Sequence, residues 1–288
     1  MKNNLLIFLL TALGITNVIA QNNPDKEVWI QLFNGKNLDG WDIKFTGHTL
    51  NDNYLNTFKV EDGILKVSYD EYTKFDEIFG HIFYNKKFSW YRINVTYRFT
   101  GEQAPEAPEW ALRNNGIMVH SQSAASMGLN QDFPYSIEVQ LLGGNGKDKR
   151  PTANLCTPGT HVVMNGKLFT PHCVNSDSET YHGDQWVEVS VLVLGDSLVE
   201  HWVNGAKVMS YEKPQIGGGQ VHEYEGADMI EGTLLSDGFI SLQAESHPTE
   251  FRKVELLNLK GCMDPKAINY KSYYLKADNP TCMYPKKE

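Results

Sequence analysis

The sequence predicts an all-β fold, a sandwich or barrel of antiparallel strands joined by turns and long loops. Apolar residues recur with period 2 along the chain, and almost no stretch sustains a 3.6-residue period. The apolar runs follow one another with turn residues between them and no alternating helices, which excludes a βαβ architecture. The length of 288 residues fits one large unit with small additions, because all-β domains run to about 250 residues.

Taken in order, residues 1–20 carry one lysine, an apolar run from Leu5 and Val18-x-Ala20 before Gln21. This is the pattern of a cleaved signal peptide. The run is broken by Gly14, Thr16 and Asn17 and is short for a membrane span, so no membrane anchor is expected after cleavage. Strands are predicted at 57–60, 64–69, 81–84, 91–99, 116–122, 137–142, 238–245 and 251–259. The clearest signal lies at 186–211. There Val187, Val189, Val191 and Val193 alternate with less apolar neighbours, Gly195-Asp196 turns the chain, and Asn204-Gly205 turns it again. Asn-Gly between β-rich runs is a strong hairpin signal because both residues accept positive φ, so a three-strand meander is predicted. The stretches 101–114, 143–185 and 212–236 are too long for ordinary connectors, and loops of that length usually serve function. Gly217-Gly218-Gly219 is read as loop, without the strand–turn–helix context of a phosphate cradle.

Export permits disulfides. Cys156, Cys173, Cys262 and Cys282 allow three pairings. Sequential pairing, Cys156–Cys173 and Cys262–Cys282, keeps each bridge within one segment. No CxxC is present, which argues against a structural zinc site. After Leu259 the composition shifts to Asn, Pro and Tyr, so 261–288 reads as a small bridged tail. Asp264, Asn269 and Asp278 there could contact calcium, but no EF-hand pattern is present and solvated loop polars are the simpler reading. The formal net charge of −9 excludes a nucleic-acid partner, which would require a basic face.

Alternation also sorts polar side chains. On 116–122 Ile117 and Val119 oppose Met118, His120 and Gln122. On 137–141 an Ile/Val/Leu face opposes Glu138 and Gln140. On 239–247 Ile240, Leu242 and Ala244 oppose Ser241, Gln243, Glu245 and His247. A solvated outer face is the ordinary reading of any one such strand. Here the face is built of Gln, Glu and His with almost no Lys or Thr, and planar hydrogen-bonding groups suit sugar hydroxyls.

The segment Gln31-Leu32-Phe33-Asn34-Gly35-Lys36-Asn37-Leu38-Asp39-Gly40-Trp41 resembles the N-terminal hallmark of the 3-keto-disaccharide hydrolase family. The resemblance continues through Phe58-x-Val60-x-Asp62-Gly63, Asn114-Asn115-Gly116-Ile117, Glu138-Val139-Gln140, Trp186, Glu200–Gly205, Leu242-Gln243 and Glu250-Phe251-Arg252, covering 28–260. It implies a concanavalin/laminin-G-like jelly-roll β-sandwich with a concave sugar-binding face. It also implies cleavage of glycosides whose C3 hydroxyl has been oxidised to a ketone. A C3 ketone acidifies the C2 proton, so a base can remove it and the C1 substituent can leave; water then adds. Such a site needs a base, a partner for the enolate oxygen and an acid.

On this resemblance Glu138 is the expected general base or a hydroxyl anchor. Asn115, Gln140 and Gln243 are expected substrate ligands. The face argument adds Gln122 as a ligand, Glu245 as a ligand or candidate acid, and His120 and His247 as catalytic candidates for the acid or for metal binding. A divalent ion held by His120, Glu138 and His247 is a further expectation. Two departures stand out: Asn-Asn-Gly replaces the usual Asn-Ser-Gly, and Gln243-Ala-Glu-Ser-His247 replaces the usual Gln-x-His-Gly. The second moves the imidazole along the strand. His172 and His182 become acid candidates if the 143–185 loop covers the sugar-binding face, and are otherwise surface histidines.

A non-catalytic carbohydrate-binding module on the same fold is the competing function. A laminarinase-type glycosidase would need Glu-x-Asp-x-x-Glu, of which Glu138-Val-Gln-Leu-Leu-Gly143 supplies only the first carboxylate. No Gly-x-Ser-x-Gly elbow occurs.

Overall fold

A computed structural model describes residues 23–219, 221 and 230–285. The expected signal peptide lies outside the described residues. The chain forms a jelly-roll β-sandwich of two antiparallel sheets, with short 3-10 turns as its only helical elements among the described residues. One sheet runs Cys173–Val174, Asn154–Cys156, Ile137–Leu142, Asn114–Ser121, Gly238–Ala244, Gly80–Phe88 and Trp41–Phe45. The other has ten strands, centred on Val187–Leu194, Trp90–Phe99 and Thr249–Asn258. No described helix is long and apolar enough to cross a membrane.

Alternation builds the core. Ile117, Val119, Ile137, Val139, Leu141, Ile240 and Leu242 from the first sheet pack against Ile93, Val95, Val189, Val191, Phe251 and Leu256 from the second, all fully buried. The predicted meander is present, with Val189 paired to Val203 and Glu200 to Ser210. Asn204 and Gly205 take φ of 47° and 84°, as a tight turn following the strand twist requires.

Several residues shared with the resembled family brace the fold. The Trp41 indole donates to the Leu32 carbonyl at 2.9 Å. Trp186 has the guanidinium groups of Arg98 and Arg252 each 4.6 Å from its ring centre, and Arg98 pairs with Glu250. The 143–185 stretch is less irregular than the sequence indicates: it holds Asn154–Cys156, Thr160–Met164, Lys167–Phe169 and Cys173–Val174. These strands are two to five residues long, too short to show a hydrophobic period.

Both expected disulfides are formed, Cys156–Cys173 and Cys262–Cys282. The first joins residues already facing each other across a strand pair. The tail pairs Lys260–Gly261 with Lys276–Ala277 and returns to the segment just before the Trp29–Gln31 strand, where Ser272 contacts Asp25 and the Val28 amide donates to the Tyr273 hydroxyl. The calcium candidates are engaged within the tail: Asp264 accepts from Lys266 and Tyr284, Asn269 bonds Thr281 and Met283, and Asp278 pairs with Lys260.

Candidate functional site

The outer face of the seven-stranded sheet is not a solvated surface. Cross-strand register aligns Lys44, His81 and Gln243 in one row, which continues through Gly116, Gln140 and Asn154. A neighbouring row holds Phe83, Ser241, Met118 and Glu138. His81, Met118, Ser241 and Gln243 are fully buried, and Glu138 and Glu245 nearly so. Loops rise around them to enclose a cavity of about 550 Å³, whose lining includes Glu138, Gln140, Asn114, Glu245, Asp132 and His172. One wall is aromatic. Phe79 stacks on Trp110 at 5.9 Å and lies 4.9 Å from Phe133, while Trp110 remains 54% exposed. An exposed indole beside buried polar groups is the usual division of labour in a pocket for an amphipathic ligand.

Polar atoms here are left without hydrogen-bond partners: Glu138 Oε1, Glu245 Oε2 and Asn114 Oδ1 in the cavity lining, and both ring nitrogens of His81 in the buried row of the same sheet face. Each such atom costs about 1–3 kcal/mol when buried unmet, so a cluster of them marks a site kept for a ligand. Gly116 lies among them. A Cβ there would sit 2.6 Å from Gln243 Oε1 and 2.7 Å from Glu138 Oε1, so these groups occupy the space a side chain would need.

Burial sets the protonation of the cluster. It pushes Glu138 well above the usual carboxylate range, the nearby charge of Glu245 pushes further, and a polar contact from Gln243 partly opposes both. Burial raises Glu245 to about 8. His81 is held neutral, lowered to about 3 first by burial and then by the Lys44 ammonium. Lys44 donates at 2.8 Å to the carbonyls of Phe45 and Leu129, and burial lowers its own pKa.

The structure brings Glu138, Gln140, Gln243 and Glu245 together, and Gln140 accepts from Asn154 at 3.0 Å. It places four other candidates elsewhere. Asn115 points into the sandwich, donating to the Gln243 carbonyl at 2.8 Å and to Thr249 across the core. Its neighbour Asn114 faces the cavity, in keeping with the parity of Gly116 and Met118. His120 sits at φ 52°, where the strand pairing also shifts register, and its Nε2 reaches the Gly195 carbonyl at 3.1 Å. The bulge overturns the alternation that had placed His120 beside Glu138, and the ring lines a separate groove. Gln122 is a loop brace, accepting from Gln131 and Tyr135 and donating to Ser126. His247 follows Ser246, whose φ is 104°, and packs edge-on to Phe99 at 5.7 Å under the influence of Arg113, Asp184 and Arg150. The His120/Glu138/His247 metal triad is therefore not assembled. Among the described residues only Cys156, His172 and Cys173 bring three such ligand types together, and both sulfurs are already in the disulfide.

His172 lines the cavity, so the 143–185 stretch does border the site; His182 lies against Gly144 outside it. His81, fully buried on the same sheet face beside Gln243, is a residue that the sequence reading did not single out. The signal was present, since Ile82 is apolar and His81 shares its strand in opposite parity.

Residues 28–257 match the model of a 3-keto-alpha-glucoside-1,2-lyase-like domain. No curated protein matches the chain. Two solved structures from Parabacteroides distasonis ATCC 8503, each described as a candidate glycosyl hydrolase, are similar. The first is 20% identical with a TM-score of 0.48, covering 80% of this chain and 94% of that one. The second is 16% identical with a TM-score of 0.49, covering 81% and 100%. The carbohydrate-binding module CBM66 from Bacillus subtilis is 10% identical with a TM-score of 0.44, covering 76% and 96%.

Proposed function

The chain belongs to the 3-keto-alpha-glucoside-1,2-lyase-like family, and from that premise we propose that it is an exported enzyme cleaving 3-keto-glycosides. The observation that supports this reading best is Glu138, a buried carboxyl with an unpartnered oxygen on the floor of a cavity sized for a sugar. A carboxylate raised by burial is a stronger base than one in water, as removal of a C2 proton beside a ketone demands. Asn114 and Gln140 in the cavity lining supply amides for hydroxyls and for the enolate oxygen, with Gln243 beside Glu138, and the Trp110 face suits the apolar side of a pyranose ring. Two disulfides favour an oxidising compartment.

The same aromatic wall and amides would also serve a non-catalytic carbohydrate-binding module. Incubation with a 3-keto-glucoside and its unoxidised parent, with and without chelator, separates these readings. Cleavage of the keto sugar alone is expected. Equal cleavage of the parent would remove the keto-dependent mechanism, and the two carboxyls would then be read as an ordinary glycosidase pair. No cleavage of either, with binding retained in Glu138→Gln, would establish the binding module.

A further inference from the structure

We propose that Glu138 and Glu245 work as a pair holding one proton, and that Glu245 delivers it to the oxygen of the departing group; this rests on the elimination reading above. The two carboxyls enter the cavity from opposite sides of the Asn114–Ser121 strand. Glu138 comes from Ile137–Leu142, and Glu245 lies just beyond Gly238–Ala244. Between those flanking strands Gly116 leaves the gap into which the Glu138 carboxyl extends. Each carboxyl keeps one buried oxygen free of protein partners.

Two neighbouring buried carboxyls resist double ionisation, so a single proton belongs to the pair. Burial raises both carboxyls, Glu245 to about 8, so a proton is retained at neutral pH and belongs to the pair rather than to either residue alone. The ionisable groups around Glu245 are Glu138, Tyr69 behind it, Glu77, Asp132 and His172 on the cavity wall, and His81 on the adjacent strand. Tyr69 is held protonated by burial and accepts from the Ser246 amide, and His81 is held neutral. Of the expected acids, His120 and His247 lie outside the cavity, which leaves Glu245 and His172.

The reaction balances on the pair. The Glu138 carboxylate takes the C2 proton, the C2–H electrons form a C1=C2 bond conjugated with the C3 ketone, and the C1–O bond breaks. The leaving oxygen takes the Glu245 proton. Water then adds to C1, giving its proton to the Glu245 carboxylate, while C2 recovers a proton from Glu138. Both carboxyls return to their starting states, and the sum is hydrolysis.

Two substrates test the assignment: methyl 3-keto-glucoside, whose alkoxide must be protonated to leave, and the p-nitrophenyl analogue, whose phenolate need not be. Glu245→Gln is expected to lose about 10²- to 10⁴-fold in kcat/KM on the methyl glycoside, the usual worth of a general acid, and less than about tenfold on the nitrophenyl one. Glu138→Gln should lose both alike. Wild-type kcat/KM should fall above about pH 8 for the methyl substrate only, a readout that stands even where the variant misfolds. Equal losses by Glu245→Gln on both substrates, the same alkaline limb for both, or the leaving-group dependence appearing in His172→Gln would overturn the proposal. Wild-type protein that cleaves neither keto sugar would instead sink the elimination reading itself, and the pair's role with it.

Discussion

Gly116→Ala is the smallest change that should disable the site. Its Cβ would fall 2.6 Å from Gln243 Oε1, 2.7 Å from Glu138 Oε1 and 2.9 Å from Glu138 Cγ. A comfortable contact is about 3.4 Å, so both side chains must retreat by roughly 0.5–0.8 Å within a close-packed floor. Overpacking of this kind costs about 1–3 kcal/mol, or some 2–10 °C in Tm for a domain of this size. The effect on rate should be larger in proportion, because displacing a catalytic group by about 1 Å can cost on the order of 100-fold. Thermal unfolding and kcat/KM on a 3-keto-glucoside measure the two separately. Unchanged Tm and unchanged kcat/KM would refute the geometry. A lower Tm with full activity would preserve the packing argument but remove Glu138 from the chemistry.

Three further expectations follow from the site. Asn115→Ala should cost stability, about 1–3 kcal/mol for the partner groups left unmet, whereas Asn114→Ala should leave Tm nearly unchanged and weaken turnover; the reverse outcome in a melt and an activity assay would mean the face assignment is inverted. Trp110→Ala should raise KM about fivefold with little effect on Tm, since the indole is half exposed and its loss removes roughly 1 kcal/mol of stacking; an unaltered KM would discount the aromatic wall. Stability should fall as pH rises from about 6.5 to about 8. In that window the folded protein keeps the proton that the Glu138/Glu245 pair holds while the unfolded chain, with carboxyls near 4.5, has already lost it. The lowered histidines His81, His120, His172, His201 and His247 act in the opposite sense, but only below about 6.5, where the unfolded chain takes up protons that they refuse. A flat Tm between pH 6.5 and 8, or a slope that persists undiminished in the double variant Glu138→Gln/Glu245→Gln, would contradict this.

Local pattern settled a good deal without any tertiary information. Period-2 alternation places Ile117, Val139 and Leu242 in the core and Glu138, Gln140, Gln243 and Glu245 on the opposite face, because successive side chains on a strand must point oppositely. Asn204-Gly205 determines a hairpin because both residues tolerate positive φ. The cysteine pairs follow from short closures. Tertiary structure decided the rest. One bulge at His120 and one break at Ser246 reverse the parity that carries an imidazole to the site, and such irregularities come from strand register against partners far away in sequence. The same holds for Asn115 and Asn114, adjacent residues of one type, separated only by knowing which of them meets Thr249 across the core. Burial was equally inaccessible to local pattern: an outer sheet face is ordinarily wet. It becomes a sheltered cavity with raised carboxyls only because segments around Phe79, Trp110, Phe133 and His172 converge over it from four separate parts of the chain.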